Sequence, residues 1–135
     1  RKTLNEIVRR HEVLRTSFVL EDAVPSQVIS PALELVFDLI DLSELPHGER
    51  EARAQWLICE EAQRPFDLET GPLIRAELLR LGETEHIVLL TLHHIVSDGW
   101  SMGILVKEVA ALYSAFVQDK PSPLPELMIQ YADFA

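Results

Sequence analysis

Residues 86–93, His-Ile-Val-Leu-Leu-Thr-Leu-His, constrain this chain more than any other stretch. The run is almost all apolar or β-branched, the pattern of a strand covered on both faces. Such a strand cannot stand alone. Its backbone needs neighbouring strands, and each face needs a packed layer. The run therefore predicts a central strand in a sheet backed by helices.

The flanking sequence supplies those layers. Leu4, Ile7, Val8, His11 and Leu14 recur at helical spacing and predict a helix over 1–14. It should stop near Arg15, because residues 16–20 are β-branched and aromatic. Residues 16–20 and 24–29 read as two strands joined at Glu21-Asp22-Ala23, with Pro25 at a strand start or edge. Leu33, Leu35, Phe37 and Leu39 alternate, which predicts a strand over 33–39. A helix over 49–64 follows, ended by Pro65, with Ala52, Gln55, Trp56, Cys59 and Ala62-Gln63 on its inner stripe. Residues 73–81 read as a strand with leucine on both faces, and residues 82–85 as a hairpin loop. The last strong helix covers 101–118, with Ile104, Leu105, Val109, Leu112 and Phe116 facing inward. Pro121, Pro123 and Pro125 force an extended linker, and a final helix is expected near Met128. The order α-β-β-β-α-β-β-α predicts an α/β (α+β) sandwich, most simply one mixed sheet backed by helices.

At 135 residues the prior is one domain. With 22 acidic against 12 basic residues, the net charge of −10 repels phosphate backbones and argues against nucleic acid as a partner. A single cysteine, Cys59, makes no internal disulfide and is expected to be inert core, consistent with a cytoplasmic protein. No apolar run approaches the roughly 20 residues that span a bilayer, and no signal-peptide pattern opens the chain. The chain starts at Arg1 and ends Tyr131-Ala132-Asp133-Phe134-Ala135 without a polar tail, so a piece of a longer protein is expected.

The chemistry concentrates in His93-His94-Ile95-Val96-Ser97-Asp98-Gly99-Trp100-Ser101, where the apolar strand gives way to a helix. A strand end holds groups rigidly while the following loop exposes them. Adjacent strand residues point to opposite faces, so only one of the two histidines can face a given cavity. Histidine is the default proton-transfer group near neutral pH. Asp98 either orients it or pairs with an arginine, with Arg10 and Arg15 as candidates. Asp98 or Ser101 is also placed to cap the next helix. Divergent histidines, no Cys pair and no H-E-x-x-H leave too few ligands for a metal.

The residues His93-His94-Ile95-Val96-Ser97-Asp98-Gly99 match the HHxxxDG signature of nonribosomal peptide synthetase condensation domains. Arg10–Phe18 resembles that family's RHExLRTxF motif, and Pro65–Leu73 resembles its PFDLxxGPLxR segment, completed by Arg75. Gln130–Ala135 is similar to the start of its YxDYAxW motif. HxxxDG alone is shared with other CoA-dependent acyltransferases; the ordered set is far more specific. The resemblance implies a fold like chloramphenicol acetyltransferase, with two lobes around a tunnel. Residues 1–135 would be part of the N-terminal lobe, without its opening strand and helix or the second lobe.

The resemblance further implies amide formation between a donor and an acceptor thioester, both carried on phosphopantetheine arms of carrier proteins beside an adenylation domain. No cofactor would bind directly. His94 would face the tunnel as the catalytic group, either as a base or by positioning the amine. His93 would pack on the sheet. Asp98 would pair with Arg10 or Arg15 and be structural. Gly99 would leave room for the acceptor arm and, with Trp100 and Ser101, would bind the substrate. The Ser97–Ser101 pattern resembles the subtype joining two L-residues. An isolated lobe is expected to be inactive. The alternatives are a related acyltransferase using CoA or a polyketide carrier, or a silent recognition module with the same fold.

Overall fold

The computed structural model describes residues 1–134, so the last residue of the Tyr131–Ala135 motif lies outside the described residues. The chain forms α1 (Lys2–Arg10), β1 (Thr16–Glu21), β2 (Val24–Ile29), β3 (Leu39–Asp41), α2 (His47–Gln63), β4 (Ile74–Arg80), β5 (His86–Leu92) and α3 (Gly99–Phe116). The order matches the sequence expectation. Two 3-10 turns, Glu12–Arg15 and Tyr131–Phe134, complete it.

The strands form two sheets rather than one. β1 and β2 make an antiparallel hairpin, while β3, β4 and β5 make a mixed sheet in that order. The hairpin turns on Asp22 and Ala23, both at positive φ (50° and 64°). Two left-handed residues give the turn whose twist suits adjoining antiparallel strands. The hairpin is tied to the rest of the chain by the Phe18 amide, which donates to the Leu68 carbonyl at 2.7 Å.

β4, not β5, is the central strand. It pairs parallel with β3 and antiparallel with β5. β5 has only β4 beside it among the described residues, and its Val88 is 58% exposed. The register explains why leucine occurs on both faces of β4. Ile74 opposite Leu92 and Ala76 opposite Leu90 face a cluster with Ile7, Val8, Leu105 and Leu112 from α1 and α3. Leu79 opposite Ile87 faces Ala54 and Leu57 of α2 with Leu42. Helices thus cover both faces of the sheet, an α/β sandwich. Ile7 and Leu112 are fully buried, and the packing of α1 on α3 is the main apolar seam.

Five local expectations need correction. The 33–39 segment is extended but forms no ladder before Leu39. Its inward set holds for Leu33, Leu35 and Phe37, which pack in the main core, but Leu39 is exposed. Side chains replace the missing strand partner: the Leu35 amide donates to Asn5 Oδ1 at 2.7 Å, and Arg1 donates to the Phe37 carbonyl. The α2 stripe was misplaced by about half a turn. Ala54, Leu57 and Glu61 are buried, whereas Ala52, Gln55, Trp56, Cys59, Ala62 and Gln63 are exposed. Periodicity was the right signal, but a tryptophan and a cysteine drew the stripe onto the wrong face. α1 ends at Arg10, where His11 turns extended (φ −104°, ψ 101°), and Leu14 is buried from the following 3-10 turn instead. The helix expected near Met128 is only the turn at Tyr131–Phe134. On α3, Ile104 is half exposed while Ala115 is buried.

Glu61 and Arg75 form an ion pair across the α2–sheet interface. Arg75 Nε donates to Glu61 Oε1 at 2.5 Å, and the Glu61 side chain is 5% exposed. Arg75 also donates to the carbonyls of Glu61, Arg64 and Pro65, and its guanidinium lies 3.8 Å from the Phe66 ring centroid. This is the physical role of the arginine that completes the PFDLxxGPLxR segment. In the same segment Asp67 Oδ1 accepts from the Glu69 and Thr70 amides, which closes the turn leading to β4.

Candidate active site

The strand-to-helix turn after β5 separates the two histidines. His93 faces inward: its ring meets Phe66 edge-on at 5.8 Å, and its Nδ1 accepts a hydrogen bond from the Ile95 amide at 3.1 Å. Its backbone amide donates to the Leu73 carbonyl, extending the β4–β5 pairing by one bond. With one ring nitrogen accepting from backbone, His93 shapes the turn. A line of contacts runs from Glu61 through Arg75 and Phe66 to this ring. His94 is exposed and lines a cleft of about 230 Å³.

The cleft also takes Asp98 and Ser101 from the start of α3 and His11 from the end of α1. Leu14, Leu92, Val96 and Leu105 give it an apolar floor. Tyr131 closes one side. The C-terminal segment is held there by side chains: Gln130 accepts from the Glu12 amide and donates to the Arg10 carbonyl.

Asp98 caps α3. Its Oδ1 accepts from the Ser101 amide at 2.8 Å and from Ser101 Oγ at 2.6 Å. These bonds, the hydroxyl first, hold the Asp98 carboxyl below the ordinary carboxylate range. The expected ion pair with Arg10 or Arg15 is absent among the described residues. Arg10 is 3% exposed and spent on Glu108 (3.4 Å) and the Pro125 carbonyl (2.8 Å). Arg15 pairs with Glu12 at 3.0 Å and donates to the Ser30 carbonyl. A helix start leaves amides unpaired, and a carboxylate at the cap position satisfies one locally, without reaching for a distant cation.

Of the residues expected at the site, the cleft therefore joins His94, Asp98 and Ser101. His93 stands behind it. Gly99 and Trp100 are outside its lining: Trp100 is 82% exposed, and the space around Gly99 is open. His11, Glu108 and Tyr131 were missed. His11 Nε2 lies 2.7 Å from Glu108 Oε2, so a second imidazole at the cleft is anchored by a carboxylate from α3. Glu108 sits between Leu105 and Leu112 on the inner stripe of α3. A charged residue on an apolar stripe was the available signal.

A profile of the condensation domain family matches residues 1–135. The chain belongs to that family. Chondramide synthase cmdD of Chondromyces crocatus is 52% identical to this condensation-domain chain over 134 residues, which are 99% of this chain and 3% of that protein. Malpibaldin synthetase of Mortierella alpina is 47% identical over 134 residues, 99% of this chain and 2% of that protein. The epimerization domain from the third module of tyrocidine synthetase B superposes with a TM-score of 0.84 at 28% identity, over 98% of this chain and 30% of that one. The chain thus spans a small part of the synthetases it matches and under a third of that solved domain. No helix among the described residues is long and apolar enough to cross a membrane.

Proposed function

We propose that this chain is part of the N-terminal lobe of a peptide-bond-forming condensation domain in a multidomain synthetase of the cytoplasm. The observation that carries the reading is His94, exposed in a cleft just past the end of β5, while the ring of its neighbour His93 is hydrogen-bonded into the turn. The reaction joins two thioesters borne on phosphopantetheine arms of carrier proteins, one loaded by an adjacent adenylation domain. The acceptor amine attacks the donor carbonyl; the amine loses a proton and the donor arm leaves as its thiol. His94 accepts that proton or holds the amine in line. A placed base is worth roughly 10²–10⁴-fold, and positioning of tethered reactants at least as much.

Asp98, Ser101 and His93 hold the turn that presents His94. Gly99, outside the lining, has open space beside it for the acceptor arm, and Trp100 is free to meet a carrier or the second lobe. The Ser97–Ser101 sequence favours two L-configured substrates. A tunnel needs walls from both lobes, so residues 1–135 alone should not turn over. The test supplies the intact protein with donor- and acceptor-loaded carriers and follows the dipeptidyl thioester by mass spectrometry. Dipeptide on the acceptor carrier supports the reading. Acyl transfer from CoA with no dipeptide, or epimerisation of a bound residue, overturns it. An L-donor consumed faster than its D-epimer supports the subtype, and the reverse refutes it. Turnover by the 135-residue chain alone would refute the two-lobe requirement.

A further inference from the structure

The cleft holds a second imidazole with a fixed tautomer. Glu108 loses hydration on burial, which works against its charge, yet hydrogen bonds from His11 and Arg10 outweigh this and keep its carboxyl below the usual range. An ionised carboxylate only accepts hydrogen bonds, so the 2.7 Å contact puts the proton on His11 Nε2. In the neutral ring the other nitrogen, Nδ1, is then a lone-pair acceptor. It makes no hydrogen bond among the described residues, and it is not buried, because the one buried side-chain polar atom left unpaired there is Arg10 Nε. His11 lines the same cleft as His94.

The ring is held from several directions. Its backbone amide closes α1 onto the Ile7 carbonyl, Glu108 of α3 grips Nε2, and Gln130 brackets its neighbours by bonding the Arg10 carbonyl and the Glu12 amide. A free, oriented acceptor on a rigid ring is the arrangement that positions a ligand, since the ordering is complete before the ligand arrives.

Resting on the condensation reading, we propose that His11 is a positioning residue of the cleft, whose Nδ1 accepts a hydrogen bond from an N–H of the thioester-borne acceptor. Two groups carry such an N–H: the amine of the aminoacyl unit and the amides of the pantetheine arm. Glu108 fixes the tautomer, and His94 remains the group at the reacting amine.

The test uses the intact protein and a non-hydrolysable aminoacyl-pantetheine amide, with its des-amino analogue as a second probe. His11→Gln keeps a donor toward Glu108 but removes the Nδ1 acceptor. It should weaken binding of the aminoacyl probe roughly three- to tenfold, the worth of one hydrogen bond, with an unchanged thermal midpoint. Weakening of the aminoacyl probe alone assigns the amine, and equal weakening of both assigns the arm. Nitrogen-15 spectra of the wild type should show an unprotonated His11 Nδ1 whose resonance moves when the probe is added; this readout stands even if the variant folds poorly. Unchanged affinity for both probes, a protonated Nδ1, or a silent Nδ1 resonance overturns the proposal. A protein that makes no dipeptide yet binds the probe through His11 would sink the condensation reading and leave this one standing.

Discussion

Replacing Arg75 with methionine should unfold the condensation domain containing this chain far more readily than a surface change would. Methionine keeps an aliphatic stem against Phe66 but leaves the Glu61 carboxylate, whose side chain is 5% exposed, only the exposed Arg64 guanidinium at 3.8 Å. Removing one partner of a buried ion pair costs about 3–5 kcal/mol when the remaining charge is desolvated and unpaired; the exposed Arg64, at 3.8 Å, offsets little of this, so the lower end of the range, about 3 kcal/mol, applies. The lost bonds to the Arg64 and Pro65 carbonyls add little, since both residues are exposed and water can replace the donor, and the Glu61 carbonyl keeps the Arg64 amide as a donor. Urea unfolding measures the loss. With a slope of about 1–3 kcal/mol per molar, the midpoint should fall by at least about 1 M. The compensating double change, Arg75→Met with Glu61→Leu, removes both charges and should recover most of the loss. A fall under about 1 kcal/mol for Arg75→Met would show that Glu61 is compensated by solvent or by Arg64. A double variant no better than the single would show that Arg75 acts through its carbonyl contacts instead. On the proposed function, Arg75→Met should also slow dipeptide formation beyond its effect on stability, because Arg75 reaches the His93 turn through Phe66.

Three further outcomes follow from the packing. Asp98→Asn should keep the α3 cap and near-normal stability, because asparagine caps as well as aspartate, while Asp98→Ala should lower the thermal midpoint; equal effects would mean the charge, not the cap, matters. Leu112→Ala, at a fully buried position in the α1–α3 seam, should cost about 2–5 kcal/mol in the same urea assay, and a loss below about 1 kcal/mol would show the seam to be loosely packed. Glu108 and Asp98 have depressed pKa values in the folded state, so their stabilisation is present above the unfolded carboxylate range of about 4 and is lost as pH falls through the folded values. Glu77, raised chiefly by burial, works in the opposite direction. Glu108→Gln should therefore flatten the acid limb of a stability–pH curve, and an unchanged limb would exclude that pair.

The order of elements was legible because long amphipathic helices and β-branched runs carry their own period. Burial was less legible. The apolar run 86–93 suggested a central strand, yet β4, with leucine on both faces, holds that place; apolar content records which faces are covered, not which edges are paired. The alternation at Leu33–Phe37 was real, but Asn5 and Arg1 satisfy that backbone in place of a strand. At the site, HHxxxDG falls on the turn between β5 and α3 that lines the cleft, and the divergence of the two histidines follows from strand geometry. The Asp98 ion pair did not follow, because spacing cannot tell a local cap from a distant partner. The His11–Glu108 contact joins residues far apart in sequence, and only the packing of α1 on α3 brings them together.

The central claim is that His94 acts on the acceptor amine in the cleft. The direct measurement is single-turnover dipeptide formation by the intact protein and its His94→Ala variant, each given loaded donor and acceptor carriers at saturation. The account predicts a rate reduced roughly 10²-fold or more, with an unchanged unfolding midpoint and the wild-type product at trace level. A variant that forms dipeptide at the wild-type rate would contradict it.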